Sequence, residues 1–135
     1  MTLRYLLDTN FCIALIRRTS VLAEERLMER DITEIAISAI TVGELEYGVA
    51  KSREPRMNRE RLSSFLQPLQ ILAFDDAAAA TYGTARQSLE SRGMMIGPLD
   101  MLLAGQALSL DLTVVTNNTR EFERVEGLRV EDWTR

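Results

Sequence analysis

The sequence predicts an α/β fold in which a mostly parallel sheet carries helices on both faces. Two observations lead to this prediction. Short apolar and β-branched runs alternate along the chain with longer segments of helical character. Strands separated by helical crossovers pair in parallel, and both faces of such a sheet are covered. The 135 residues show no repeat, linker or low-complexity block, so we expect one domain spanning residues 1–135.

The predicted strands are short and bounded by turn residues. They are expected at residues 3–7, 34–38, 69–74, 112–116 and 128–133. The first ends in the apolar run Tyr5, Leu6 and Leu7. The fourth, "LTVVT", is rich in β-branched residues and is followed by Asn117 and Asn118, which favour a turn.

The helices are predicted from apolar periodicity and from their end signals. They are expected at residues 11–18, 21–29, 41–52, 56–66, 76–92 and 96–110. A polar hinge at Glu54 and Pro55 separates the third helix from the fourth. Gly93 ends the alanine-rich fifth helix, and Pro98 lies in the first turn of the sixth.

The composition is that of a globular protein in a reducing compartment. Hydrophobic residues make up 46% of the chain and charged residues 27%. The apolar run near the N-terminus is interrupted by Asp8, and no later apolar stretch is long enough to span a membrane. The single cysteine, Cys12, fits a cytoplasmic protein without disulfides.

Two absences restrict the chemistry. The chain has no histidine, which excludes His-based acid–base catalysis and imidazole metal sites. Its only lysine is Lys51. Reactive groups must then be carboxylates, hydroxyls, or metals bound by carboxylates, and such oxygen ligands select Mg²⁺ or Mn²⁺. The net charge of -4 argues against indiscriminate nucleic-acid binding, although residues 51–61 hold five basic side chains.

Asp8 interrupts the apolar run between Leu7 and Phe11. Its structural interpretation is a helix N-cap, a position that Asp and Asn both favour. Asn10 is better placed for that role, which leaves Asp8 free for another. Ligands of parallel sheets bind beyond the carboxyl ends of the strands, and Asp8 occupies such an end.

Glu44 and Asp100 also have both structural and functional interpretations. Thr41 and Glu44 fit a capping box, yet Glu44 has apolar neighbours and follows a predicted core strand. Asp100 lies in the first turn of a helix, where the dipole stabilises an anion, at the head of an apolar face.

Together, Asp8, Glu44 and Asp100 are expected to gather at one edge of the sheet. Three carboxylates in one cleft repel each other unless a cation neutralises them. We therefore predict a divalent metal bound by these three residues, with Thr9 and Asn10 orienting Asp8.

Four blocks of sequence resemble those of PIN-domain ribonucleases, in particular the VapC-type toxins of bacterial toxin–antitoxin pairs. The blocks are "LLDTN", "TVGELEYG", "GMMIGPLDMLLAGQAL" and "VTNNTREFERVEGLRVEDW". The resemblance implies a three-layer α/β/α sandwich with a central parallel sheet. It also implies Mg²⁺- or Mn²⁺-dependent cleavage of RNA, often tRNA, by metal-activated water, and inhibition by a VapB-type antitoxin. Members form homodimers, and larger hetero-oligomers with the antitoxin.

The resemblance assigns roles to individual residues. The family's first aspartate, its glutamate and its third acid match Asp8, Glu44 and Asp100. The family commonly has a further acid after the fourth strand, where this chain has Asn118 (or Asn117). Glu121 is the candidate to replace that acid. The polar residues placed around these ligands are Thr9, Asn10, Thr116 and Asn117.

The sequence also contains arginines that are candidates for binding RNA. The candidates for holding the RNA backbone are Arg17, Arg18 and Arg86. The apolar residues between Arg17 and Leu27, with those around Phe65, form either a partner groove or part of the core.

Two other functions are also compatible with the sequence. A phosphotransfer protein would also place an acceptor aspartate at Asp8, although Asn10 and the position of Lys51 do not fit the known types. A catalytically weak PIN-like module that binds RNA or protein would use the acids only as caps.

Overall fold

The computed structural model describes residues 2–135 and contains a five-stranded sheet in the order β3-β2-β1-β4-β5. The strands are β1 (Tyr5–Leu7), β2 (Ile35–Ser38), β3 (Gln70–Leu72), β4 (Thr113–Val115) and β5 (Val130–Glu131). Each neighbouring pair is parallel, as in the β1–β4 register that places Tyr5 opposite Thr113. The predicted α/β class is confirmed, with β1 at the centre of the sheet.

Helices connect the strands and cover both faces of the sheet. They are α1 (Thr9–Arg17), α2 (Val21–Met28), α3 (Ala39–Lys51), α4 (Pro55–Leu66), α5 (Asp76–Ser91), α6 (Pro98–Ser109) and α7 (Thr119–Phe122). Their starts follow from local chemistry. Ser20 and Asp75 accept hydrogen bonds from backbone N–H groups of α2 and α5, and Pro55 and Pro98 open α4 and α6.

The apolar side chains divide between the two faces because strand residues alternate in direction. Tyr5 and Leu7 pack on one face with Phe11 and Trp133, whereas Leu6 packs on the other with Met101. Trp133 meets both Tyr5 and Phe11 edge to face, at ring-centroid distances of 5.0 and 5.7 Å. The carboxyl-terminal segment is thereby fixed beneath the start of α1.

Helix α6 is buried along most of its length and lies tightly against α5. A Cβ atom added to Gly105 would stand 2.6 Å from the Tyr82 Cα, so only glycine permits this approach. The close packing fixes the position of α6 and, with it, Asp100 in its first turn.

Several predicted boundaries differ from the structure. Helix α3 begins at Ala39 because Ser38, the last residue of β2, caps it by accepting a hydrogen bond from the Ile40 N–H at 3.0 Å. The capping box at Thr41 and Glu44 does not form, since both residues lie inside the helix. A short 3-10 helix (Ile32–Glu34) and α7 were not predicted. No helix within residues 2–135 combines the length and apolar character needed to cross a membrane.

Candidate active site

Asp8 occupies the carboxyl end of the central strand and is 2% exposed. Its Oδ1 accepts a hydrogen bond from the Phe11 N–H at 2.8 Å, which makes Asp8, not Asn10, the N-cap of α1. The prediction that Asp8 has no structural role was wrong. Because α1 begins at the next residue, Thr9 and Asn10 form its first turn, and neither supplies a hydrogen bond to Asp8. One oxygen of the Asp8 carboxylate therefore caps helix α1, and the other faces the site.

The second oxygen of Asp8 is held from the neighbouring strand. The hydroxyl of the fully buried Thr116 donates to Asp8 Oδ2 at 2.5 Å and accepts from the Asn118 N–H at 2.8 Å. This relay joins β1 to β4 and fixes the carboxylate plane. The orienting role predicted for Thr9 and Asn10 is thus filled in the structure by Thr116, which was expected only among the polar residues around the ligands. Asn117 is exposed, and Asn118 takes its expected place beside the acids.

Burial raises the pKa of Asp8 to about 6, against the lowering effect of its bonds from Thr116 and Phe11. Asp132, which follows β5, adds to the rise through like charge. A carboxylate in this position is costly to ionise unless a cation lies beside it.

Asp100 and Glu121 form a carboxyl–carboxylate pair at the same edge of the sheet. Burial and a hydrogen bond with Glu121 raise the pKa of Asp100 to about 7, and the charges of Asp8 and Glu44 add to the rise. That hydrogen bond lowers the pKa of Glu121, helped by the bond that Asn118 Nδ2 donates to Glu121 Oε2 at 3.0 Å. The two facing acids thus differ, with the pKa of Asp100 raised and the pKa of Glu121 lowered.

Glu44 reaches the site from the second turn of α3 and is half-buried. Its charge acts on Asp100, which shows that α3 and α6 direct acids toward the same space. Asp8 and Glu44, from two other parts of the chain, are therefore both within electrostatic range of Asp100.

The donor chemistry of the site fits a hard divalent cation. All its ligating atoms are oxygens, two of the acids have raised pKa values, and none of Asp8, Glu44 and Asp100 forms an ion pair with Arg or Lys within residues 2–135. The geometry is not that of a preformed cage, because in this part of the chain no group of three Asp, Glu or Cys side chains is arranged to hold an ion.

The three arginines predicted to hold RNA have other contacts. Arg18 pairs with Glu24 at 2.9 Å, and Arg17 and Arg18 line a groove on the far side of α1 from β1. Arg86 bonds to Glu90 and to the Tyr82 hydroxyl on α5. None of them bonds to a site acid in the described residues.

The sequence interpretation missed two residues beside the site. Asp132 follows β5 just as Asp8 follows β1, so the strand-end rule applied to "VEDW" would have found it. Arg124 lies one turn beyond Glu121 and helps to lower the pKa of that residue. No periodicity distinguishes Arg124 from an ordinary surface arginine.

Sequence comparison identifies the family. The PIN domain model matches residues 5–128. The chain is 42% identical over 132 residues to the tRNA(fMet)-specific endonuclease VapC of Shigella flexneri, covering 98% of this chain and 99% of that relative. It is 40% identical over 131 residues to ribonuclease VapC2 of Rickettsia felis, covering 96% and 97%.

Solved structures agree with these matches. The chain superposes with a TM-score of 0.93 on a chain of the DNA-bound VapBC complex from Salmonella typhimurium, at 42% identity and covering 98% of this chain and 99% of that one. It superposes with a TM-score of 0.90 on a chain of VapBC2 from Rickettsia felis bound to promoter DNA, at 36% identity and covering 97% and 99%. The chain belongs to the PIN-domain family and, within it, to the VapC-type ribonucleases.

Proposed function

We propose that this chain is a cytoplasmic endoribonuclease toxin that hydrolyses tRNA with the aid of Mg²⁺ or Mn²⁺ and is inhibited by a VapB-type antitoxin. The observation that carries the proposal is the gathering of Asp8, Glu44, Asp100 and Glu121 where the central strands end. Family membership supplies the ribonuclease activity. The raised pKa values of Asp8 and Asp100 support the metal requirement, since a cation would relieve both.

Each residue of the site has a part in this mechanism. Asp8 and Asp100 would bind the ion, with Glu44 binding it directly or through water. Thr116 holds Asp8 in one orientation. The ion, when bound, supplies a Lewis acid that lowers the pKa of water and balances negative charge developing on the phosphate.

Glu121 and Asn118 complete the site at the position of the family's further acid. Asp100 would hold the ion as a carboxylate, and Glu121 is the neighbouring acid, whose pKa is lowered by its hydrogen bond with Asp100. Asn118 keeps Glu121 in place through the Nδ2 hydrogen bond. With Glu121 supplying the carboxylate, Asn118 can occupy the position at which the family commonly has an acid.

We propose initiator tRNA as the substrate, because the Shigella flexneri relative that bears that specificity in its name aligns with nearly the whole chain. The test is cleavage of an initiator tRNA transcript by antitoxin-free protein, with and without Mg²⁺ or Mn²⁺. We expect cuts only with metal. Equal cleavage in excess chelator contradicts the metal mechanism, and equal cleavage of an elongator tRNA contradicts the substrate.

We place the antitoxin in the groove between α1, α2 and α4, which has a volume of about 1410 Å³. Apolar side chains line it, including Leu15, Ile16, Leu27 and Phe65. The apolar side chains of Val21 and Met28 at its border are 67% and 82% exposed. Exposed apolar surface beside a groove is typical of a protein-binding site. Leu15 belongs to the buried core, and Ile16, Leu27 and Phe65 pack against it, so we propose the exposed border of this region as the partner surface. Unaltered antitoxin affinity in Val21→Glu would contradict it.

We also propose that the chain forms a homodimer and assembles with the antitoxin into a larger hetero-oligomer. Exposed apolar side chains outside the groove, such as Tyr47 on α3, leave surface for self-association. Light scattering of the free protein tests the dimer, and a monomeric mass at micromolar concentration would contradict it.

A catalytically weak binding module is the second candidate. The observation that favours it is the absence, in residues 2–135, of a metal-ready group of three acids. Calorimetric titration with Mn²⁺ separates the two functions. A nuclease site loses Mn²⁺ binding in Asp100→Asn, whereas a module that uses its acids as caps shows no Mn²⁺ site to lose.

A further inference from the structure

The segment between α5 and α6 runs along the edge of the acid site. Helix α5 ends at Ser91 with Arg92 as its C-cap, and Gly93 turns the chain with a φ of 65°, which glycine adopts without strain. The segment then passes Met94 and Met95 and reaches Gly97, whose backbone contributes to lowering the pKa of Glu121. It leads directly into Asp100.

Two arginines fix this segment to the chain that follows β4. The Arg124 guanidinium donates to the Met95 carbonyl at 2.9 Å, and Arg92 donates to the Arg124 carbonyl at 3.3 Å. Arg92 also lies 3.8 Å from the Met94 sulfur. These contacts form one connected rim beside Glu121.

The guanidinium groups of this rim have no close carboxylate partner within residues 2–135, although the charge of Arg124 helps to lower the pKa of Glu121. Neither Arg92 nor Arg124 forms an ion pair with a carboxylate anywhere in the described part of the chain. Each guanidinium uses only some of its five N–H donors on neutral acceptors. By contrast, Arg18 and Arg86, which were predicted to hold RNA, are each paired with a glutamate.

A substrate phosphate needs such a cation close to the acids. The protein is acidic overall, with a net charge of -4, and its site repels the RNA backbone. Arginine binds phosphate through two parallel N–H groups. The methionine side chains between the two arginines can pack against the aromatic ring of a base.

We propose that Arg92 and Arg124 form the phosphate-binding rim of the active site, with Met94 and Met95 between them contacting the RNA bases. This inference rests on the proposed function, because it takes RNA as the ligand of the neighbouring acids. It replaces Arg17, Arg18 and Arg86 as the residues that hold the RNA backbone.

The rim is tested with initiator tRNA transcript as the probe. In the Asp8→Asn background, binding is measured in Mg²⁺ at several salt concentrations for the Arg92→Gln/Arg124→Gln double variant. Each lost phosphate contact should reduce the slope of log affinity against log salt by about 0.7–0.9, so the pair should reduce it by about 1.4–1.8. In the otherwise native enzyme, KM should rise by about tenfold or more while kcat stays within about twofold.

Two controls separate binding from folding. The Arg92→Lys/Arg124→Lys variant keeps both charges and should retain the salt slope. Arg4→Gln removes an exposed arginine at the amino end of β1 and should change neither slope nor KM. All variants are compared by thermal unfolding.

The outcomes are distinct. An unchanged salt slope in the double Gln variant overturns the rim while leaving the nuclease function intact. A fall in kcat with unchanged binding also overturns it, since Arg124 would then act only through Glu121. If the protein with all its arginines neither binds nor cuts the transcript, the proposed substrate fails as well.

Discussion

The two ends of the parallel sheet carry their charges in opposite ways. At the amino ends of the strands, Arg4 pairs with Glu34 at 3.2 Å and Arg129 pairs with Asp111 at 3.0 Å, all near water. At the carboxyl ends, Asp8, Glu44 and Asp100 form no ion pair within residues 2–135, and the most central one, Asp8, is buried. The acids at the amino end are therefore neutralised by arginines of the same chain, whereas Asp8 at the carboxyl end is left to interact with a ligand.

The largest effect is expected from Asp8→Asn. Asparagine is nearly isosteric and can still accept from the Phe11 N–H, but it lacks the negative charge that holds the cation. We expect RNA cleavage to fall by about 10³-fold or more, measured as initial rate in saturating Mg²⁺.

The same variant should not lose stability. In chelator at pH 7.5, its free energy of unfolding should match or exceed that of the native protein, because a desolvated carboxylate has been removed. A less stable Asp8→Asn protein would show that the carboxylate serves the fold more than the site.

Thr116→Val removes the hydroxyl that orients Asp8 from β4. Loss of such a supporting hydrogen bond typically costs 10–100-fold in metal affinity or activity, and we expect a fall of about that size. Thr116→Ser keeps the hydroxyl and serves as the matched control. Equal activity of the Val and Ser variants would show that Asp8 is held by α1 alone.

The stability of the metal-free protein should fall as the pH rises from about 4 to about 7. Burial raises the folded-state pKa of Asp8 to about 6 and of Asp100 to about 7, from 3.8 in each case. Between these limits the folded chain binds more protons than the unfolded chain, so ionisation favours unfolding. For the buried Asp8, the loss is about 1–3 kcal/mol.

Metal should reverse this trend. Denaturant unfolding at pH 5 and pH 7.5, in chelator and in Mn²⁺, measures both effects. Added Mn²⁺ should stabilise the protein at pH 7.5 more than at pH 5, because the ion competes with protons for the same oxygens. A metal-free protein that is more stable at pH 7.5 would contradict the raised pKa values.

The smallest effect is expected at the amino end of the sheet. Asp111→Asn breaks an exposed ion pair with Arg129 but keeps the bonds from Arg129 to the Asp111 carbonyl and the Thr113 hydroxyl, and such pairs contribute about 0–1 kcal/mol. Unfolding should change by no more than this, and cleavage should not change. A marked loss of activity would show that the two ends of the sheet are coupled.

Much of the fold could be predicted because its elements have strong local signals. The β-branched run before Asn117 gives β4, and Pro98 gives the start of α6. The 3-10 helix and α7 were missed because three or four residues leave no periodicity to detect. The start of α3 was missed because its cap, Ser38, is also the last residue of β2.

The site was predicted as a set of acids but not as an arrangement. The ends of strands and the starts of helices identify Asp8, Glu44 and Asp100, and the resemblance adds Asn118 and Glu121. The sequence cannot show that Asp100 lies against Glu121, because that depends on how α6 and α7 approach each other in space. Arg92 and Arg124 were missed for the same reason, since their role follows from partners 29 to 32 positions away along the chain.

The bond between Thr116 and Asp8 joins residues 108 positions apart and so bears on the order of synthesis. Strand β1 leaves the ribosome early, but its neighbour β4 is among the last parts of the chain to appear. A growing polypeptide therefore carries Asp8 without the strand that orients it. The fixed orientation of Asp8 therefore forms only after β4 has emerged and paired with β1, late in the synthesis of the chain.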